Sequence, residues 1–466
     1  MRFRRITILL LVFVLLFSFG VSSFAQEYDP NFEQRSKAIY LYNLDTDTVL
    51  YQKNAETKLP PASITKVMTY IIAFENTDDV MNSTYVIPQD VDDYLTGTGS
   101  SMSGIRTGEE LTIFELLNLM MVPSGNDASL ALSFYISEKT GRDFSELMNE
   151  KAKQLGCFNT NFVNPHGLHD ENHYSTARDI AVITKYAMTL PYFMDITNQL
   201  YYTLRSTNKS QEERTVYATN RMLSQHTDEG KYYYRYVKGI KTGSHDEAGY
   251  CLVSSASKEG YSYICVALGA PYEDEHGEML DSRELYEWAF DNFAIKTVLK
   301  EGDIKGEIKV DYAWDKDTIL LSAGENVSAL LPSNIETSSI LYKYNLPESI
   351  SAPIEKGEKM GTVTLSYADR TIATIDLLAS ESIEKSNLLY FVSVCRKIFF
   401  ANFITTVIFF VVLILLIYFL IVLIYNINRN RQKKHRHYAG SKNYKYKKYK
   451  TPERSRFKLF SGALIL

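Results

Sequence analysis

Hydrophobic and polar positions alternate along this chain with two different periods. Lys37–Tyr42 and Thr48–Tyr51 are rich in tyrosine and branched apolar residues and flank Asp45-Thr46-Asp47, which predicts a β-hairpin. After Pro60-Pro61 the period lengthens. Ile64, Val67, Met68, Ile71 and Ile72 share one face of Ser63–Glu75, and a stripe that wide belongs in the centre of a core. Thr112-x-x-Glu115 reads as a capping box opening Ile113–Met121. Asn126–Lys139 ends before Gly141, Asp143-x-x-Glu146 caps a helix that stops at Gly156, and Thr176 caps Ala177–Met188. Gly249–Ser255 and Tyr261–Gly269 read as strands joined at Glu259-Gly260, with Leu285–Phe293 as a closing helix. A hairpin, a helical middle and late strands predict an α+β domain over 26–295.

From Ile304 the runs become short. Ile304–Tyr312, Thr318–Leu321, Asn326–Leu331, Gly361–Tyr367 and Thr371–Leu378 read as strands, with Ala368-Asp369-Arg370 as a hairpin tip. They predict a small all-β domain over 300–384. Residues 385–403 then form a juxtamembrane linker.

Two apolar segments lie outside these domains. Met1–Ala25 has the charged start (Arg2, Arg4, Arg5), short apolar stretch (Ile6–Phe17) and small-residue site (Ser23-Phe24-Ala25) of a signal peptide. The other reading of this segment is an uncleaved anchor. Ile404–Tyr425 is 22 residues without a charge, long enough to cross ~30 Å of hydrocarbon. Residues 426–466 follow with 13 Lys+Arg and one acid, Glu453. Positive flanks stay cytoplasmic, which predicts a single-pass membrane protein with its body outside and a basic tail inside. The tail tyrosines Tyr438, Tyr444, Tyr446 and Tyr449 sit among lysines, a pattern suited to anionic lipid or to a merely solvated topogenic tail.

Charge confirms this division. The whole chain carries −5, yet residues 26–425 hold 54 acidic and 34 basic side chains. An acidic body lacks the basic footprint that nucleic acid requires. Four cysteines in 466 residues make no disulfide framework. Cys251 and Cys265 lie on neighbouring predicted strands, which permits a disulfide, but they read better as buried thiols.

Three short motifs carry the chemistry. Ser63-Ile64-Thr65-Lys66 puts a serine and a lysine at i and i+3 on one helical face. The lysine can serve as base only if neutral, which burial or a nearby cation favours. The spacing recurs at Ser206/Lys209, Ser255/Lys258, Ser382/Lys385 and Ser455/Lys458. Only Ser63 stands at the mouth of a long apolar helix. Ser124-Gly125-Asn126 presents a hydroxyl and an amide from a turn between helices. Lys241-Thr242-Gly243 precedes a strand, where Lys and Thr can hold a carboxylate and Gly243 admits close approach; its duplicate at Lys139-Thr140-Gly141 reads as a helix end.

In this order, at gaps of 61 and 117 residues, the trio is that of class A β-lactamases and penicillin-binding proteins. The chain resembles the low-molecular-mass penicillin-binding proteins that are serine-type D-alanyl-D-alanine carboxypeptidases. Leu59–Thr69, Leu116–Ser129, Phe162–Leu168, Ser175–Ala181, Gly239–Val253 and Ala352–Gly361 all look like blocks of that family. The resemblance implies a β-lactamase/DD-peptidase-like fold, an antiparallel sheet with a helical subdomain, followed by a β-sandwich. It also implies catalytic roles for Ser63 (nucleophile), Lys66 (base) and Ser124 (proton transfer). Asn126, Lys241, Thr242, Gly243 and Ser244 would bind substrate, with the N–H groups of Ser63 and Ser244 as the oxyanion hole. It implies no cofactor and no metal, peptidoglycan stem peptides as substrate, and β-lactams as inhibitors. Two features depart from the family. A spanning helix and basic tail replace its amphipathic C-terminal anchor, and Arg221–Lys241, with the run Lys231–Lys238, is long.

Other readings compete. His166, His169 and His173, with Asp170, suggest zinc, but His166 belongs to a family block and no metal-ligand motif supports the trio. Tyr232–Tyr236 reads as cover for the cleft rim ahead of a glycan or lipid surface. A β-lactamase would need a carboxylate to activate water, and no motif assigns one. A non-catalytic receptor would signal through the span to the 41-residue tail.

Overall fold

In the computed structural model, residues 28–368, 370–401 and 403–440 are described. The signal-peptide segment, most of the basic tail and Asp369 of the hairpin tip lie outside them.

The predicted hairpin forms as Ala38–Asn43 (β1) and Thr48–Lys53 (β2). With Val237–His245 (β3), Gly249–Lys258 (β4) and Tyr261–Ala270 (β5) it builds a five-stranded sheet in the order β2-β1-β5-β4-β3. All its pairings are antiparallel. Both faces are covered, and the period of two sorts the side chains between them. Cys251, Val253, Ile264, Val266 and Leu268 face a large helical core, whereas Leu252, Ala256, Tyr263, Cys265 and Ala267 face the other layer. Cys251 and Cys265 therefore point to opposite faces, and both are free thiols.

Lys66–Glu75 (α1), Ile113–Met121 (α2), Asn126–Thr140 (α3), Phe144–Gln154 (α4) and Ala177–Ala187 (α5) form the helical layer. The starts of α2 to α5 are the predicted ones. Thr112 and Glu115 make a reciprocal capping box, Asp143 accepts from Glu146 N, and Thr176 accepts from Asp179 N. α1 is buried over eight of its ten residues, Lys66–Ala73, as its wide stripe predicts. Its opening differs from expectation: Ala62–Thr65 is a separate 3-10 turn, so Ser63 precedes the α-helix instead of starting it.

Gly277–Asn292 (α6) backs the other face and begins eight residues before the predicted Leu285. Its first half hides buried polar residues. Asp281 accepts from Ser36 N and Oγ at 2.7 Å and pairs with Arg35. Tyr232 and Tyr234 are buried against this layer, Tyr234 stacked on Tyr286 at 6.0 Å. They are core, which accounts for much of the long Arg221–Lys241 segment.

Phe293–Leu299 (β6) was not legible as a strand; it pairs antiparallel with Val327–Pro332 (β9). Leu341–Asn345 (β10), Lys359–Tyr367 (β12), Arg370–Ala379 (β13) and Thr318–Ala323 (β8) follow one another in an antiparallel sheet. A separate unit comprises 309–319, 349–355 and the chain from Ser382 onward. There the end of Ile304–Asp311 (β7) pairs in parallel with Ser349–Ser351 (β11). The linker proves helical: Asn387–Ala401 (α7) is followed by Phe403–Gly440 (α8). Within α8, Phe403–Arg431 is long and apolar enough to cross a membrane.

Candidate active site

The three motifs, far apart in sequence, meet in a cleft of about 850 Å³ lined by Ser63, Ser124, Asn126, Thr242, Gly243 and Ser244, among others. The 3-10 turn holds Ser63 at the head of α1. Lys66 Nζ reaches back to Ser63 Oγ at 2.8 Å, to Asn126 Oδ1 at 2.6 Å and to the His166 carbonyl at 3.0 Å. On β3, Lys241 Nζ donates to Ser124 Oγ at 2.8 Å and to the Thr242 carbonyl at 2.9 Å. Thr242 Oγ1 meets Thr219 Oγ1. Ser124 sits in left-handed backbone, φ 66°, which aims its hydroxyl away from the helix it precedes. A second hollow of about 490 Å³, lined by parts of 46–52, 328–331 and 367–372, holds none of the motif residues.

Both lysines are fully buried, 0% and 1% exposed. Burial, reinforced by the charge of Lys241, pushes Lys66 well below the usual lysine range, against the opposing pull of Asp127. Burial alone lowers Lys241 to about 7. A desolvated ammonium costs more than a neutral amine, so burial favours the neutral form of lysine that a serine nucleophile would need.

Gly243 has a different use from the one its motif suggested. A Cβ there would lie 2.8 Å from Ser63 N and 2.9 Å from Pro61 O. The strand backs directly onto the Ser63 turn, and the missing side chain makes room for the enzyme's own backbone. Gly167 does the same from the other wall, where at φ +86° a Cβ would fall 1.9 Å from the Ala62 carbonyl.

Asp127 was not singled out from sequence. It is 0% exposed and accepts from Ser103 N, Ser103 Oγ, Gly104 N and Ile105 N at 2.8–3.3 Å. It therefore pins the loop whose Thr98–Ser101 stretch forms a cleft wall. The only sequence signal was an acid directly after Ser-x-Asn. Asp127→Asn turns one acceptor oxygen into a donor facing N–H groups. Charged hydrogen bonds are worth ~1.5–3 kcal/mol, so penicillin acylation should fall about 10–150-fold and trypsin should cut faster at Arg106. Unchanged acylation and cleavage rates would remove Asp127 from this positioning role.

His166, His169 and His173 do not converge on one point. His173 is held by Thr65 Oγ1 at 2.8 Å and by Val163 N at 3.1 Å, and His166 Nδ1 accepts from Leu168 N. Burial drives these two to about 4 and about 3 respectively. His169 is exposed and turns toward His245 instead, with ring centroids 5.4 Å apart.

A sheet packed between helices, with a serine, a buried lysine of depressed pKa and a second buried lysine in one cleft, defines a serine-type acyl-transfer hydrolase. Comparison with known proteins makes the class specific. Residues 24–272 match the family described as D-alanyl-D-alanine carboxypeptidase, and 293–385 match the C-terminal domain of penicillin-binding protein 5. The D-alanyl-D-alanine carboxypeptidase DacF of Bacillus subtilis is 30% identical over 393 residues, covering 83% of this chain and 97% of that one. DacC of Escherichia coli is 30% identical over 380 residues, covering 79% and 90%. The structure of penicillin binding protein 5 from Haemophilus influenzae superposes with a TM-score of 0.59 at 28% identity, covering 76% and 98%. The chain belongs to the D-alanyl-D-alanine carboxypeptidase family.

Proposed function

We propose that this protein removes the terminal D-alanine from peptidoglycan stem pentapeptides through an acyl-enzyme on Ser63. One observation carries the assignment: two buried lysines meet two serine hydroxyls in one cleft. Lys66 takes the Ser63 proton as Oγ attacks the penultimate carbonyl. The N–H groups of Ser63 and Ser244 stabilise the oxyanion. Ser124, held by Lys241, passes a proton to the leaving D-alanine. Asn126 holds a substrate amide, and Lys241 with Thr242 binds the terminal carboxylate beside Gly243. Water then frees the enzyme. A β-lactam enters the same path and stops at the acyl-enzyme. Among the described residues no carboxylate hydrogen-bonds Ser63, Lys66 or Ser124, so no direct contact there supports a β-lactamase's water-activating group. Release of D-alanine from a defined pentapeptide tests the reading; a peptide left intact by folded protein would overturn it.

In this reading residues 26–295 are the peptidase, 300–384 the β domain, 404–425 the span and 426–466 a cytoplasmic tail against anionic lipid. The active cleft then faces the extracytoplasmic side. The long apolar helix and the basic run after it support this topology. Residues 26–396 expressed alone should be soluble and active on D-Ala-D-Ala peptides.

Lys241 gives a sharper test. A charge-assisted contact of ~1.5–3 kcal/mol corresponds to about 10–150-fold. Lys241→Ala should lose that much kcat/KM on a free-acid substrate and far less on the C-terminal amide. Lys241 is charged below its pKa of about 7 and neutral above it. The wild-type KM for the acid should therefore rise as pH climbs past 7, while KM for the amide stays level. Equal losses on acid and amide would remove Lys241 from carboxylate recognition.

A further inference from the structure

His169, His245 and Glu247 each bring one ligand atom to within 4.8 Å of the others. They come from opposite walls of the cleft. His169 follows Gly167-Leu168, while His245 ends β3 and Glu247 lies in the turn to β4. His245 Nδ1 and Glu247 Oε2 are already 2.9 Å apart. Among the described residues, the ring nitrogens of His169 hydrogen-bond to no protein group, although its ring faces that of His245. Two imidazoles and a carboxylate are the donor set that holds zinc with a fourth position open. Bonds of ~2.0–2.1 Å in a tetrahedral shell need ligand atoms ~3.4 Å apart. His169 and Glu247 are exposed and His245 is partly buried, so rotation of the two exposed side chains is the movement that would close this spacing.

We propose that these three residues bind a divalent cation of the zinc class at the cleft mouth, tying its two walls together. The site is separate from Ser63, Lys66, Ser124 and Lys241, and it stands whether or not Ser63 is the nucleophile. Its position gives the ion leverage. The His166 carbonyl, three residues before His169, accepts from Lys66. Gly243, two residues before His245, packs on Ser63 N. An ion joining His169 to His245 and Glu247 thus joins the two segments that grip the nucleophile's turn. The sequence reading grouped His169 with its chain neighbours and absorbed His245 and Glu247 into the Lys-Thr-Gly block. The pairing across the cleft is visible only in the fold.

The test is a calorimetric titration of zinc chloride at pH 7.5 into the tag-free, chelator-treated full chain in detergent. One saturable site is expected, with zinc raising the melting temperature as a native-state ligand must. His169→Ala, His245→Asn and Glu247→Gln should each weaken binding by about 10-fold or more. Absence of saturable binding below ~100 µM zinc, or a clearly smaller loss in any one variant, overturns the site. Cobalt(II) added to the wild-type chain keeps the test independent of how the variants fold. It should give the visible ligand-field bands of a low-symmetry nitrogen and oxygen site, and a spectrum like that of aqueous cobalt would refute it.

Discussion

Ser63→Ala should abolish covalent labelling by a fluorescent penicillin, while Ser206→Ala and Ser255→Ala leave it intact. All three serines precede a lysine at i+3, so spacing alone does not separate them. Their surroundings do. Ser63 Oγ lies 2.8 Å from a fully buried amine, inside the cleft that also holds Ser124, Asn126 and Thr242. Ser206 is exposed on a loop. Ser255 is buried in β4 with its hydroxyl toward the Lys238 carbonyl at 3.4 Å, and it does not line the cleft. Without the Ser63 oxygen no acyl-enzyme can form, so the label should vanish. Normal labelling of Ser63→Ala would end the assignment.

Lys66→Arg should cost nearly as much. Arginine keeps the positive charge and most of the length, but a guanidinium does not give up its proton in a protein. If Lys66 is the base, acylation should drop by about 10²–10⁴, the usual contribution of a positioned proton acceptor. The pH dependence gives an independent check. The Lys66 pKa is depressed, chiefly by burial, so the neutral form persists to lower pH than for a free lysine. Wild-type acylation should fall as pH is lowered through that depressed pKa, because protonation removes the base. The arginine variant should stay slow with no such limb. A variant within about tenfold of wild type would show that Lys66 only organises Ser63 and Asn126.

Much of the fold was legible because local signals agreed. The caps at Thr112, Asp143 and Thr176 fixed three helix starts, and the runs Gly249–Ser255 and Tyr261–Gly269 marked the strands β4 and β5. The unread parts depend on distant partners. The first turns of α6 look like a loop because Glu278, Asp281 and Ser282 are polar, yet all three are buried. Asp281 is satisfied by Arg35 and Ser36, some 245 residues earlier. β6 exists through its pairing with β9, and β11 is only three residues long. The same division runs through the site. Ser63 and Lys66 could be paired from local geometry, and order along the chain supplied the other motifs. Asp127's hold on the Ser103 loop and the approach of His169 to Glu247 arise only when separate segments fold together.

The contact between Gly243 and Ser63 turns the cleft into a caliper with fixed jaws. One jaw is the Ser63 turn and the other is the end of β3, where Lys241 and Thr242 sit. Because they touch through backbone, with no room for a single carbon between them, neither can slide to suit a different substrate. If Ser63 attacks the carbonyl while Lys241 and Thr242 hold the terminal carboxylate, one α-amino acid lies between these two fixed points. A peptide ending in β-alanine is one methylene longer. It can place its carboxylate or its carbonyl correctly, but not both at once. Such a substrate should bind yet turn over poorly, with the penalty falling on kcat more than on KM. Selectivity for the length of the departing residue would then follow from strand packing, with no side chain assigned to read it.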